Sequence, residues 1–365
     1  MMEVDSMNRI FRPLILVTIL VFSVLFLPVS GISQASRQIA SSGEVTYTLS
    51  WLHTDGKLIR DQTGKTVRLM GCGIEEPCWD KSGLQNEEIY RLIASYGANH
   101  VRVMFNKAWV SDPQYLAVLD NIVAWCKKYH LWVMPCFAVD GTTSTWTEQA
   151  VIAAIRNSTW IEGWIQMWEA LAQHWKNEST VMGFAIFNEP YLPSGLKTWW
   201  DAALACIQRI HAVNPNVLCF VGSPDYQKDF RWFFIDGGYG VFSEPNVVYA
   251  WHRYYHYDLI YEPADAYCFD YRDGNFTTAK QKYEQTLYNC NIKLQDVANV
   301  PVMFEEFGEG TSYIPSDPNW NVWLQDTYDI LKNYGVSANQ YAWYWMTTNR
   351  TVLNQIGQIW AQNMP

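Results

Sequence analysis

The sequence predicts an α/β fold, a (β/α)8 TIM barrel with a short N-terminal β-hairpin. Three observations lead there. Short apolar runs alternate with helical patterns along most of the chain, the rhythm of βαβ units. Eight such runs can be counted, which suits a closed barrel. Two of them end abruptly in carboxylates: Val181-Met-Gly-Phe-Ala-Ile-Phe-Asn188-Glu189-Pro190 and Pro301-Val-Met-Phe-Glu305-Glu306-Phe307-Gly308. Apolar runs of this kind read as strands buried on both faces, with polar residues at their C-terminal tips. In a barrel, the tips of all eight strands converge on one face.

The elements follow in order. Residues 1–35 carry Arg9 and Arg12, then fourteen almost wholly apolar residues, Leu14 to Leu27, then small and polar residues with a cleavage site near Gln34-Ala35. This is the plan of a signal peptide, and the apolar run is shorter than the ~20 residues of a comfortable membrane span. The expectation is a secreted, extracellular protein, with an uncleaved N-terminal anchor as the alternative. The segment 14–27 should lie outside the globular domain.

Residues 36–46 are Ser-rich and read as a linker, leaving 47–365 as the barrel. Residues 47–66 alternate and turn, which suits a hairpin closing one end of a core. Strands are expected at 67–72, 99–105, 131–138, 181–188, 217–222, 247–252, 301–306 and 339–345. Helices are expected at 86–96, 113–129, 158–175, 196–213, 277–297, 320–333 and 352–361. The crossover 223–246 is rich in Gly, Pro and aromatic residues and has little helical signal. A doubly wound open sheet is the competing fold, but no Gly-x-Gly-x-x-Gly follows a strand and opens a helix.

Composition narrows the function. The net charge is −10 over 365 residues, which argues against nucleic acid and anionic membrane surfaces. Only an uncleaved N-terminal segment would tie the chain to a membrane. The 19 Trp residues exceed what a core alone needs. Flat rings with apolar faces suit a pyranose, so Trp79, Trp109 and Trp146 are candidates for sugar contacts, although packing is the plainer role for each. Of the 8 Cys residues, Cys268 and Cys290 lie in the most polar setting and form the expected disulfide. His252 and His256 have metal-like spacing but no third ligand is apparent. No metal and no cofactor is expected.

Two carboxylates at one face are what glycoside cleavage needs: one gives a proton to the leaving oxygen while the other stays ionised near the anomeric carbon. From residue 47 onward the chain resembles glycoside hydrolase family 5, the cellulase family. The resemblance rests on motifs in order: Leu58-Ile-Arg-Asp61 through Gly73, Gly97-Ala-Asn-His-Val-Arg102, Asn188-Glu189-Pro190, His252-Arg-Tyr254, Glu306-Phe307-Gly308 and Tyr344-Trp345. It implies that Glu189 is the acid and base and Glu306 the nucleophile. It further implies that Asn188 contacts the sugar 2-hydroxyl, Arg102 keeps Glu306 ionised, and Tyr254 holds Glu306 in position. His252 would contact sugar or Glu189, and Trp345 would stack under the reacting sugar. The same resemblance implies a cis Trp345–Met346 peptide.

The implied activity is a retaining endo-glycosidase on a β-1,4-glucan such as cellulose, the polysaccharide partner. β-Mannan and mixed-linkage glucan are the alternatives within the family, and a catalytically inactive polysaccharide-binding barrel or a membrane-tethered wall protein outside it. A retaining site places its carboxyl groups about 5–5.5 Å apart, an inverting one about 6.5–9.5 Å. Two departures from the family stand out. The run Val133 to Asp140 lacks the His usual at the end of strand three, and Glu305 stands where a small residue is usual. Strand alternation sends Glu305 and Glu306 to opposite sides, so Glu305 is expected to point away and Glu305→Ala to retain activity.

Overall fold

The computed structural model describes residues 48–82, 86–141, 147–255, 267–308, 319–342 and 350–363. The N-terminal segment and linker, Trp146, His256, and Trp345 with the Trp345–Met346 peptide lie outside them. No described helix is long and apolar enough to cross a membrane.

Two short strands, β1 (Leu52–Asp55) and β2 (Leu58–Asp61), pair antiparallel as the expected hairpin. Eight parallel strands follow: β3 (Met70–Ile74), β4 (His100–Asn106), β5 (Trp132–Val139), β6 (Gly183–Ala185), β7 (Leu218–Val221), β8 (Val247–Tyr254), β9 (Val302–Gly308) and β10 (Ser337–Gln340). They pair in chain order, and β10 closes on β3, so the sheet is a closed barrel and not a doubly wound one.

Alternation along each strand sorts its side chains into two cores. On β4, Val101, Val103 and Phe105 join the large apolar layer between barrel and helices, while Met104 faces inward. The interior is filled by Met104, Met134, Cys136, Met182, Phe220 and Met303, among others. Leu52 and Ile59 of the hairpin belong to this same interior cluster, so the hairpin stoppers one end of the barrel. Two reciprocal bonds fix it there: Thr54 N donates to Asn246 Oδ1 (3.0 Å) and Asn246 N to Thr54 Oγ1 (3.1 Å).

The helices lie close to their expected places, and their ends show why. Asp112 accepts from Gln114 N (2.9 Å) and Pro113 opens the helix Pro113–Lys128. Asn157 caps the helix Ser158–His174 by accepting from Thr159 N and Trp160 N. A separate helix, Glu148–Arg156, precedes it, capped by Thr147 and absent from the sequence expectation. The helix expected at 277–297 is broken by a π-turn, Tyr288–Ile292. The last strand begins and ends earlier than 339–345. The crossover 223–246 holds only a π-turn, Arg231–Ile235, as its weak helical signal foretold.

One expectation fails in the core. Cys268 and Cys290 do not form the expected disulfide, and all eight cysteines are buried as thiols. The setting of Cys268 is less polar than its neighbours in sequence suggested: it lies on the short helix Tyr267–Arg272, and its thiol donates to the Tyr255 carbonyl (3.4 Å).

Candidate active site

The site grows from the carboxyl ends of β4, β6, β8 and β9. Arg102 is the anchor. Alternation on β4 turns it into the barrel, where it is fully buried. A lone guanidinium there would be prohibitively desolvated, so its neighbours must be acceptors. Its Nη1 donates to Glu306 Oε1 (2.5 Å) and its Nη2 to Asn188 Oδ1 (2.6 Å). Its Nε faces Glu305 Oε1 at 3.5 Å. Burial disfavours the guanidinium charge, but the surrounding acids more than restore it, so Arg102 stays charged.

Glu306 is held on its other side by Tyr254, whose hydroxyl donates to Oε2 (2.5 Å). Burial and the nearby Glu306 charge push the Tyr254 phenol well above its ordinary value, so it remains a proton donor. His252 reaches three carboxylates. Its Nδ1 lies 3.0 Å from Glu189 Oε1 and 3.5 Å from Glu306 Oε2, and its Nε2 lies 3.3 Å from Glu305 Oε2. Burial alone would lower the basicity of this ring. The charges of Glu306, Glu189 and Glu305 outweigh burial and raise its pKa to about 9.

Glu189 sits just past β6 in the left-handed region, φ 51°, an uncommon conformation for a residue with a side chain. Its backbone N–H is satisfied by Gln227 Oε1 (2.8 Å). Oxygens of Glu189 and Glu306 and a ring nitrogen of His252 all lie within 4.8 Å of one another. This nearest-atom approach is compatible with the retaining separation of the two carboxyl groups. The two carboxylates differ in access: the Glu189 side chain is 35% exposed and that of Glu306 4%. One can exchange protons with solvent or a ligand, while the other is locked between donors.

The structure thus gathers Arg102, Asn188, Glu189, His252, Tyr254 and Glu306 at one place; Trp345 lies outside the described residues. Glu305 is a correction. It does not point away. The β8–β9 register sets Trp251 opposite Phe304 but His252 opposite Glu306. The strand carries one extra residue, a β-bulge, and a bulge suspends alternation. Glu305 therefore faces the interior alongside Glu306, buried, and accepts from Gln227 Nε2 (3.0 Å). Burial pushes its pKa up, but Arg102, then His252 and Gln227, pull it down further, to a net value below that of an ordinary carboxylate.

Sequence reasoning also missed Gln227, which lies in the featureless crossover with φ 62°. A Cβ at Gly222 would sit 2.2 Å from Gln227 Cγ, so the glycine makes room for this side chain. Nothing in the local pattern marks either residue. Tyr341, whose hydroxyl donates to Glu75, was missed as well and lines the cleft.

The cleft runs on both sides of Glu189. A cavity of about 400 Å³ opens beside Tyr226, Lys228, Arg253 and Tyr254. Another of about 380 Å³ is lined by Trp79, Ala138, Val139, Asn188 and Tyr341. Trp79 is 53% exposed and presents its ring there, whereas Trp109 packs edge-on against Tyr115. Where the usual His of strand three would stand, the wall is apolar. Glu189, His252 and Glu306 are close enough to hold a cation. The His252 ring, its basicity raised by these acids, and Arg102 and Tyr254 on Glu306 already face the same carboxylates.

A family model described as cellulase (glycosyl hydrolase family 5) matches residues 60–349. A β-xylosidase from Phanerodontia chrysosporium is 26% identical over 175 residues, 44% of this chain and 35% of that protein. Endoglucanase C from Acetivibrio thermocellus is 26% identical over 188 residues, 46% of this chain and 50% of that protein. The chain therefore spans half or less of the length of these curated relatives. Among solved structures, an endocellulase from Pyrococcus horikoshii in complex with cellotetraose superposes with a TM-score of 0.63 at 15% identity, covering 86% of this chain and 100% of that one. At that identity the likeness speaks for the fold.

Proposed function

Because the chain belongs to the cellulase family, glycosyl hydrolase family 5, we propose that it is a retaining endo-glycosidase hydrolysing β-1,4-linked glucan. The observation that carries this reading is the approach of Glu189 and Glu306 to within 4.8 Å at the strand tips, with only Glu306 locked by Arg102 and Tyr254.

Each step follows from the contacts. Glu306 attacks the anomeric carbon as the bond to the leaving oxygen breaks, and the proton of Glu189 passes to that oxygen. Arg102 and Tyr254 fix the direction of attack. Water then attacks the anomeric carbon, gives its proton to Glu189, and frees Glu306. Asn188 accepts from Arg102 through its oxygen, which leaves its amide nitrogen to donate to a sugar hydroxyl. Trp79 offers an apolar face to a second sugar ring, and Trp345 remains the proposed platform under the reacting one. The printed names of the endoglucanase relative and the cellotetraose-bound neighbour support a β-1,4-glucan. The N-terminal pattern supports secretion.

The test is a reducing-sugar assay of the purified chain on cellulose derivatives, cello-oligosaccharides, mixed-linkage glucan and β-mannan. Release of internal fragments with β-configured products from the β-1,4-glucans is expected. Fastest turnover on mannan would reassign the substrate, and binding without turnover on every member would leave an inactive polysaccharide-binding barrel.

A further inference from the structure

We propose that Glu305 is a positioning residue for the acid/base: its buried carboxylate receives His252 Nε2–H and thereby aims the opposite ring N–H, on Nδ1, at Glu189. The inference rests on Glu189 being the acid/base.

The geometry leaves little choice of proton placement. Both ring nitrogens of His252 face carboxylate oxygens, Nε2 at Glu305 (3.3 Å) and Nδ1 at Glu189 (3.0 Å). Glu305 is a buried carboxylate paired with Arg102, so Nε2 carries a hydrogen toward it, and Nδ1 carries one toward Glu189 whenever Glu189 is ionised. The ring is then an imidazolium, in keeping with its raised basicity. Glu305 is itself fixed, by Gln227 Nε2 (3.0 Å) and by the Arg102 ion pair. Gln227 closes a loop, because its oxygen holds the backbone N–H of Glu189 (2.8 Å) while its nitrogen holds Glu305. A single side chain thus ties the strained backbone of Glu189 to the carboxylate beneath His252.

The charged and titratable groups facing this array come from several strands. β4 contributes Arg102 and His100, and burial lowers His100 to about 3 so that it stays neutral. β5 contributes the Cys136 thiol, which burial keeps protonated. β8 contributes Tyr254 and Arg253 beside His252, and β9 contributes both glutamates. Of these, Glu305 is the acceptor aligned with Nε2. When Glu189 yields its proton to the leaving oxygen, it becomes a carboxylate opposite a fixed cation. A small residue at 305 would leave Nε2 without that acceptor, and the ring free to turn.

The experiment is an NMR titration of ¹⁵N-histidine-labelled protein, with His252 assigned by its loss in His252→Asn. It is run on the wild type and on Glu305→Gln, alongside kcat and KM for cello-oligosaccharides with good and poor leaving groups. In the wild type, His252 should keep both ring protons at pH 8. In Glu305→Gln its midpoint should fall by one unit or more. kcat on poor leaving groups should drop about tenfold or more, with KM little changed. A neutral wild-type ring at pH 7 overturns the proposal without recourse to any variant. So does a Glu305→Gln protein whose His252 titration and kcat match the wild type, even if its thermal stability falls, because Glu305 would then be structural alone. The ring titration does not depend on turnover. A wild type that hydrolyses no glycan yet shows the expected titrations would refute the acid/base reading and not the hold of Glu305 on His252.

Discussion

Glu305 and Glu306 are consecutive on one strand, yet both make ion pairs with the same two residues, Arg102 and His252. In a regular strand one of the two would face the helices. The bulge opposite Trp251–His252 lets both enter the barrel. Two adjacent buried carboxylates would repel, and the guanidinium and imidazolium between β4 and β8 offset that repulsion.

The pair can be told apart by chemical rescue. Glu306→Ala should lose activity by about a thousandfold or more, since it removes the proposed nucleophile. Added azide should restore turnover by occupying the vacated space and give a glycosyl azide of inverted configuration. Glu305→Ala should also be impaired, because it releases His252, but azide should not rescue it. Rescue of Glu305→Ala and not of Glu306→Ala would mean the roles are exchanged.

Removing the proposed acid/base has a different signature. Glu189→Ala should cost about 10²–10⁴-fold on substrates with poor leaving groups and far less on activated aryl glycosides. Equal losses on both, measured as kcat/KM, would exclude Glu189 as the proton donor.

Arg102 is the structural keystone of the carboxylates. Arg102→Met should destabilise the fold by about 3–5 kcal/mol, because it leaves Glu305 and Glu306 buried without one of the two cations they share. Chemical denaturation should show this as a lower midpoint at unchanged slope. A variant as stable as the wild type would mean that Arg102 contributes nothing to holding the two acids in the fold.

Stability should fall on the alkaline side. The His252 pKa is raised from 6.5 in the unfolded chain to about 9 in the fold. The folded state therefore binds the extra proton, and the stabilisation is fully present below pH 6.5 and lost as pH rises through about 9. The loss should be on the order of 1–3 kcal/mol between pH 7 and 10. In His252→Asn this component of the thermal-unfolding profile should vanish. Glu305 has the opposite sign: its lowered pKa stabilises the fold above the ordinary carboxylate range, and that contribution is lost in acid.

Much of the molecule was legible from residue order. Seven of the eight strands could be read because each is a short apolar run buried on both faces, and the hairpin because its residues alternate; the eighth, Ser337–Gln340, is mostly polar and was expected two residues later. Helix starts at Asp112 and Asn157 carry their signal in the capping side chain. The helix Glu148–Arg156 escaped notice because it is short and abuts the next one, with Asn157 ending the first and capping the second. The expected disulfide failed for a related reason: polar neighbours in sequence did not make a polar setting for Cys268 once its helix packed inward.

The sequence by itself determined the closed barrel, and it put forward Arg102, Asn188, Glu189, His252, Tyr254 and Glu306 as the candidate site residues that the fold then brings together. These rest on periodicity and on motifs a few residues long, which are local properties of the chain. Only the tertiary structure decided which way Glu305 faces and that Gln227 joins Glu189 to it. A bulge is a mismatch between two strands, so it exists only once β8 and β9 are paired. The role of Gln227 likewise depends on a left-handed turn opposite Gly222, set by packing and not by any pattern within the crossover.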